Sequence, residues 1–155
     1  METIAKERQD TEMLASDILI AILVNIKKLS GQEQLFMRVN YHSLHTIFWS
    51  VRTGFETFFE KYFIFSDSGP FPFSPPLQEA IEQLQLAGMI CWPDVQEPDA
   101  MRLNLNAENW YYEILMGSGP QSLSRQDVII VQQIAEKIIK VFSPLIVTRP
   151  YLMNH

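Results

Sequence analysis

The sequence has a single cysteine, Cys91, so it cannot form a disulfide within the chain. It also has no apolar run longer than Ile18 to Val24, which is far shorter than the ~20 residues of a membrane-spanning helix. Residues Met1 to Thr11 are polar and charged and do not lead into an apolar segment, which predicts no secretory signal. Together these absences predict a cytoplasmic protein that is not associated with a membrane.

Basic residues are absent from Tyr62 to Ala100, a stretch that nevertheless contains six acids. The formal net charge of the protein is -6, so this stretch carries the whole excess of negative charge. Proteins gain most of their non-specific affinity for nucleic acid from Lys and Arg, so this stretch is expected to repel a duplex. The six acids are Asp67, Glu79, Glu82, Asp94, Glu97 and Asp99.

The sequence offers few groups for metal binding or nucleophilic catalysis. His42 and His45 lie three residues apart, a spacing at which a helix can present two metal ligands, but no Cys or Asp follows closely to supply a third. Cys91 would act as a nucleophile only if a histidine approached it in space, and its apolar neighbours favour a small buried side chain. We therefore predict no metal site, no cofactor and no enzymatic activity.

Two further patterns are weaker candidates for chemistry. The segment Gly117 to Pro120 is glycine-rich but lacks the lysine and the following Ser or Thr of a phosphate-binding loop, so it is interpreted as a linker. The carboxylate pairs Glu56 and Glu60, and Glu108 and Glu113, are explained better by solvated helix faces, because no pattern indicates burial that would tune their pKa values.

Long helices are predicted near both ends of the chain. Thr11 to Leu29 is apolar around most of its circumference, with Thr11 as its N-cap, and Ser124 to about Phe142 has a broad apolar face. Helices with so much apolar surface either lie in the core of one chain or pack against a second copy, and periodicity does not distinguish the two. The residues predicted for an interface in a homodimer are Leu19, Leu23, Ile26, Ile130 and Ile138.

The central part of the chain begins with a predicted helix from Ser43 to Phe63, in which apolar residues recur at three and four and Gly54 marks a bend or a close contact. Eight of the ten phenylalanines lie between Phe48 and Phe73, which places the centre of the core there. A short helix from Ala107 to Met116, with Asn106 as its N-cap, is predicted further on.

Another helix is predicted between Ser74 and Gly88, and it is followed directly by a hairpin. Ser74 is the expected N-cap, the prolines after it suit a first helical turn, and Gly88 suits the left-handed position that ends a helix. Met89 to Trp92 and Met101 to Leu105 are then predicted as two strands around a polar, acidic turn.

This arrangement resembles the third helix and the wing of winged helix-turn-helix proteins, in which a Leu-x-x-Leu-x-x-x-Gly-x-Ile-like ending leads into the first wing strand. The matching residues here are Ile81, Leu84, Gly88 and Ile90. Gly69 and Pro70, with Ser74 ahead of Leu77, also resemble the Gly-Pro-x-Ser segment of the Panacea-type antitoxin domain and related small bacterial proteins. The resemblance implies an α-rich winged-helix fold and a toxin-neutralising or conflict-system role, and it implies no catalytic residue.

We therefore predict one domain over residues 1–155, mainly α with a small β-hairpin (α+β), in which a winged-helix core is flanked by the two terminal helices. Residues 1–10 are expected to be flexible, and residues 146–155 to form a tail. The predicted function is that of a protein-interaction module, either a regulatory subunit or an antitoxin-like neutraliser in a bacterial or phage system. Its partner would be a protein with a basic surface, bound by the acidic residues Glu79, Glu82, Asp94, Glu97 and Asp99.

The alternative prediction is a winged-helix transcriptional regulator that binds DNA. Glu79 and Glu82 occupy polar positions of the helix between Ser74 and Gly88, where DNA-reading helices carry basic or amide side chains. These acids disfavour DNA recognition by this helix. DNA would then bind to another surface, and the basic residues near the N-terminus are the candidates. They are Lys6, Arg8, Lys27 and Lys28.

Overall fold

The computed structural model describes residues 13–66, 69–94 and 99–147. Over these residues the chain is mainly helical with a small three-stranded antiparallel sheet, so the predicted α+β class is confirmed. The elements are helix α1 (Ala15–Leu29), strand β1 (Phe36–Met37), helices α2 (Tyr41–Val51), α3 (Glu56–Tyr62) and α4 (Pro75–Leu86), strands β2 (Ile90–Cys91) and β3 (Met101–Leu103), helix α5 (Leu105–Trp110), a π-helical turn (Tyr111–Leu115), helix α6 (Arg125–Phe142) and a 3-10 turn (Ser143–Leu145). The predicted flexible segment 1–10 and the predicted cap Thr11 lie outside the described residues.

Helix α1 lies in the centre of the fold. Every residue from Ser16 to Ile26 is buried, and α1 contacts α4, α5, the π-helical turn and α6. A helix surrounded in this way needs apolar side chains on all of its faces, which explains its composition. No helix in the described part of the chain is both long and apolar enough to cross a membrane.

The predicted single helix from Ser43 to Phe63 is wrong, because the structure contains two helices there. Helix α2 ends at Val51, and α3 begins at Glu56. Gly54 lies between them with φ of +96°, a left-handed conformation that glycine adopts without the steric cost other residues pay. The N-cap of α2 is Asn40, whose side-chain oxygen accepts a hydrogen bond from the Ser43 amide at 2.7 Å.

The sheet has the strand order β1-β3-β2, with both neighbouring pairs antiparallel. Strands β2 and β3 form the predicted hairpin. The segment after α6 runs beside β1, where the Arg38 amide donates to the Leu145 carbonyl at 2.8 Å and the Val147 amide donates to the Phe36 carbonyl at 2.9 Å. The predicted tail from residue 146 therefore begins with residues that cover the outer edge of β1, and residues 148–155 lie outside the described part.

Hydrogen bonds between side chains join helix α5 and the π-helical turn to α1. The Trp110 indole N–H donates to the Asp17 carboxylate at 2.9 Å, and the Asn25 side-chain amide donates to the Tyr111 hydroxyl at 3.1 Å. Burial raises the pKa of Asp17 above its ordinary value, although the hydrogen bond from Trp110 opposes the shift. The predicted cap Asn106 lies inside α5, and the N-cap position is occupied by Asn104.

Candidate functional site

Helix α4 begins where the sequence predicts, and a buried histidine of α2 fixes its first turn. The Ser74 hydroxyl accepts a hydrogen bond from the Leu77 amide at 3.3 Å. The Ser74 amide donates to Nδ1 of His45 at 3.0 Å, and His45 Nε2 lies 3.0 Å from the side-chain oxygen of Gln78. Because Nδ1 accepts a hydrogen bond, His45 is the neutral tautomer that carries its proton on Nε2, and Nε2–H donates a hydrogen bond to the side-chain oxygen of Gln78. Burial lowers the pKa of His45, in agreement with a neutral ring.

The other end of α4 is joined to α2 and to the hairpin through Gln85. Its side-chain oxygen accepts a hydrogen bond from the Tyr41 hydroxyl at 3.1 Å, and its amide donates to the Trp92 carbonyl at 3.0 Å. The rings of Tyr41 and Trp92 meet edge to face with centroids 4.6 Å apart, and the Trp92 indole donates to the Val39 carbonyl at 3.0 Å. Helix α4 is therefore held at both ends, and its orientation relative to the hairpin is fixed.

One face of α4 is buried, so the opposite face of the helix is the one that is available to a partner; the buried residues are Leu77, Ala80, Ile81 and Leu84. The exposed residues of α4 after its first turn are Glu79, Glu82, Gln83 and Leu86, and we call them the α4 face. Leu86 is 90% exposed. The amide of Gln83 donates to Glu79 at 3.3 Å, and the amide of Gln78 donates to Glu82 at 3.1 Å, so both carboxylates are oriented by neighbouring glutamines.

Of the hairpin acids that the sequence predicts for the same acidic face, the structure describes Asp94 and Asp99. The Asp94 carboxylate is fully buried and lies 3.1 Å from the Arg102 guanidinium, so Asp94 does not belong to an exposed acidic surface. Asp99 is exposed but lies 3.5 Å from the Arg38 guanidinium. Glu97 lies outside the described residues. Two arginines from β3 and from the end of β1 therefore bring positive charge to a hairpin whose tip has none in its own sequence.

Most of the residues predicted for an oligomer interface are buried within this chain. Leu19, Leu23, Ile26 and Ile138 are each at most 1% exposed. Side chains with this burial have no accessible surface to offer to a second copy, and the core of the single chain accounts for their apolar character. Ile130 is half-buried on α6.

The groups considered for chemistry do not converge. His42 is exposed and packs on Phe71 with ring centroids 3.9 Å apart, whereas His45 turns inward to Ser74. The Cys91 thiol is half-buried and lies 3.6 Å from the Pro93 carbonyl. Across residues 13–66, 69–94 and 99–147, no three His, Cys, Asp or Glu side chains are placed to hold a metal ion.

The basic residues predicted for a DNA-binding surface do not form a described patch. Lys6 and Arg8 lie outside the described residues. Lys27 is mostly buried and pairs with Glu108 at 2.9 Å, so its charge is already neutralised, whereas Lys28 is exposed.

The residues that support the α4 face from other elements are not evident from the sequence. Tyr41, Trp92 and His45 hold the helix, and Arg38 and Arg102 pair with the hairpin acids, yet none of them belongs to α4. For Arg102 a signal exists in the alternation of β3, where the apolar Met101 and Leu103 are buried on either side of it. Nothing local marks the others, because their contacts are made across the fold.

Comparisons with protein-family models, with curated proteins and with solved structures found no match to this chain.

Proposed function

We propose that this protein is a non-enzymatic winged-helix module that binds a basic protein partner through the α4 face. The winged-helix assignment is supported by the order of the elements. Helix α4 leads directly into the β2–β3 hairpin, and β1, which lies between α1 and α2, completes the sheet on the far side of β3. This order suits the resemblance to a third helix and wing that the sequence carries from Ile81 to Ile90.

The observation that carries the proposal is the composition of the α4 face. Helix α4 contains no Lys, Arg or His, and its exposed side chains present two carboxylates beside a leucine that is 90% exposed. A helix that reads DNA needs cations to approach the phosphates, and two carboxylates here oppose that approach. An apolar residue beside acidic ones suits a protein surface with a shallow apolar patch surrounded by Lys and Arg.

The glutamines of α4 also favour a protein partner over DNA. Amide side chains can contact base edges, but Gln78 and Gln85 are half-buried and engaged with His45, Tyr41 and the Trp92 carbonyl. Only Gln83 is fully on the surface. The helix is therefore poorly equipped for base recognition, and the resemblance to antitoxin-like domains favours a regulatory subunit or a neutralising protein in a bacterial or phage system.

The proposal is tested by affinity purification from the native host with the wild-type protein and the double substitution Glu79→Lys and Glu82→Lys. The expected result is one protein with a basic surface, recovered by the wild type and depleted about tenfold or more by the variant, because electrostatic steering changes association rates by roughly 10–1,000-fold. Recovery should fall as salt is added. A thermal melt of both proteins confirms that the fold is retained.

The matched control is Glu113→Lys with Glu136→Lys, which makes the same change in net charge at two exposed residues away from α4. The control should recover the partner as the wild type does. Equal recovery by all three proteins would assign binding to another surface. Recovery of nucleic acid in place of a protein, lost as salt rises, would favour the DNA-binding alternative.

A further inference from the structure

A cavity of about 330 Å³ opens beside α3, away from the α4 face. Four aromatic rings line it: Trp49 from α2, Phe59 and Phe63 from α3 and the residue after it, and Phe65 beyond them. Phe59 and Phe63 are buried and form the floor, and the rings of Trp49 and Phe65 meet edge to face at 5.3 Å. The volume lies at the lower end of the roughly 300–1,000 Å³ typical of small-molecule sites.

The lining of the cavity includes one positive and two negative side chains, Arg52, Glu56 and Glu60. The Arg52 guanidinium lies 3.4 Å from the centroid of the Trp49 ring and donates to the Trp49 carbonyl at 3.3 Å, so it is part of the wall. The Glu56 carboxylate accepts a hydrogen bond from the Gly54 amide at 3.0 Å. Glu60 is exposed and makes no hydrogen bond or ion pair with any described residue, so its charge is available.

We propose that this cavity binds a small organic cation, namely a primary ammonium attached to an aromatic or aliphatic body. The body would pack between the rings of Trp49, Phe63 and Phe65, and the ammonium would lie between Glu56 and Glu60. Ammonium groups are attracted both by carboxylates and by the negative faces of aromatic rings. None of the lining residues belongs to α4, so the site is independent of the proposed protein surface.

An anionic aromatic ligand is the competing possibility, because Arg52 lines the same cavity. Two observations favour the cation. One face of the guanidinium is covered by Trp49 and one of its N–H groups is used by the Trp49 carbonyl. The lining also has two carboxylates against one guanidinium. Backbone hydrogen bonds, together with the nearby Arg52 and Lys137, lower the pKa of the Glu56 carboxyl, but Glu60 makes no ion pair with a described residue and therefore repels an anion.

The test is an NMR titration of the full chain with phenethylammonium at low ionic strength, followed through the three tryptophan indole N–H signals. Each signal is assigned by substituting one tryptophan at a time. The expected result is a saturable shift of the Trp49 signal, while the signals of Trp92 and Trp110 stay in place because those indoles donate to Val39 and Asp17 elsewhere in the fold. The neutral phenethyl alcohol and the anionic phenylpropionate should bind at least about tenfold more weakly.

Two variants make the result specific. Glu56→Gln with Glu60→Gln keeps the shape and the acceptor for the Gly54 amide, and it should weaken phenethylammonium binding about tenfold or more. Glu113→Gln with Glu136→Gln makes the same change in charge elsewhere and should bind as the wild type does. The proposal is overturned by equal binding of the first variant, by equal or tighter binding of phenylpropionate, or by the absence of any shift at Trp49.

Discussion

Replacing His45 by phenylalanine is expected to lower the free energy of unfolding by about 2–4 kcal/mol near neutral pH. The substitution removes the acceptor of the Ser74 amide and the donor to Gln78, each of which lies 3.0 Å from the ring. A typical hydrogen bond contributes about 1 kcal/mol, and a buried donor left without an acceptor costs about 1–3 kcal/mol. Ser74 is fully buried, so water cannot replace the lost acceptor, while a phenylalanine ring retains the stacking on Phe73.

The same substitution is expected to change the dependence of stability on pH. Burial lowers the pKa of His45 in the folded protein, and the nearby His42 acts in the same direction, so the unfolded chain binds the proton more readily than the folded one does. The contribution of the neutral ring is therefore complete above the ordinary value of 6.5 and is lost as the pH falls below it. The wild type should lose stability relative to the phenylalanine variant on acidification.

The measurement is urea denaturation followed by circular dichroism at several pH values from about 8 to about 5.5, where an ordinary histidine titrates. Differences between wild type and variant cancel the titration of groups common to both proteins. His42→Asn is the control for the loss of stability at about pH 8, where an ordinary histidine is neutral, because His42 is exposed on the same helix and makes no hydrogen bond to α4. A stability difference that stays below about 0.5 kcal/mol, or that does not shrink as the pH falls, would refute the reasoning.

Three further substitutions test other parts of the fold. Asp17→Asn keeps an acceptor for the Trp110 indole but removes a buried charge, so it should stabilise the protein at pH 7, with an advantage that vanishes as the pH falls towards the ordinary Asp value of 3.8 and the wild-type carboxyl is protonated. Leu23→Ala, in the core of α1, should cost about 2–5 kcal/mol in chemical denaturation, independently of protein concentration. Arg102→Met should cost about 3–5 kcal/mol by the same measurement, because it removes the counter-charge of the buried Asp94.

Each of these has its own control. Asp17→Leu, which cannot accept the indole hydrogen bond, should be destabilising where Asp17→Asn is not. Ile129→Ala changes a residue that is 50% exposed and should alter stability by less than about 0.5 kcal/mol. Arg38→Met affects an exposed pair with Asp99 and should cost no more than about 1 kcal/mol. A Leu23→Ala effect that depends on protein concentration would restore the interface predicted from the sequence.

The sequence predicts α4 and the hairpin well because their signals are local. Ser74, the two prolines after it and Gly88 mark the ends of the helix through capping and backbone preferences that act within a few residues. The break between α2 and α3 is harder to predict, since Phe55 and Phe58 resume the helical spacing after Gly54. Periodicity indicates which residues face the core, but it does not show whether the helix that carries them is continuous.

The charge of the surface formed by α4 and the hairpin is only partly predictable, because it depends on contacts between residues far apart in the sequence. Counting charges along the chain identifies the acids of the hairpin, but Arg38 and Arg102 reach Asp99 and Asp94 through contacts that depend on strand pairing. Likewise, the apolar composition of α1 fits both a central helix and an interface helix, and only the packed structure shows α1 surrounded by its own chain. Glu79 and Glu82 are exposed, as the polar positions of an amphipathic helix are expected to be.

The strand β1 has a consequence for the order in which this protein folds. Its two neighbours, β3 and the residues around Ile146, are synthesised long after it, and the second of these pairs joins residues more than a hundred positions apart. Contacts at such separations form slowly, because a long loop must close before they can stabilise the chain. The outer edge of β1 therefore lacks its partners Leu145 and Val147 until the segment after α6 has been synthesised. A chain that stops before Leu145 would keep one edge of the sheet open, and an open strand edge invites pairing with other molecules.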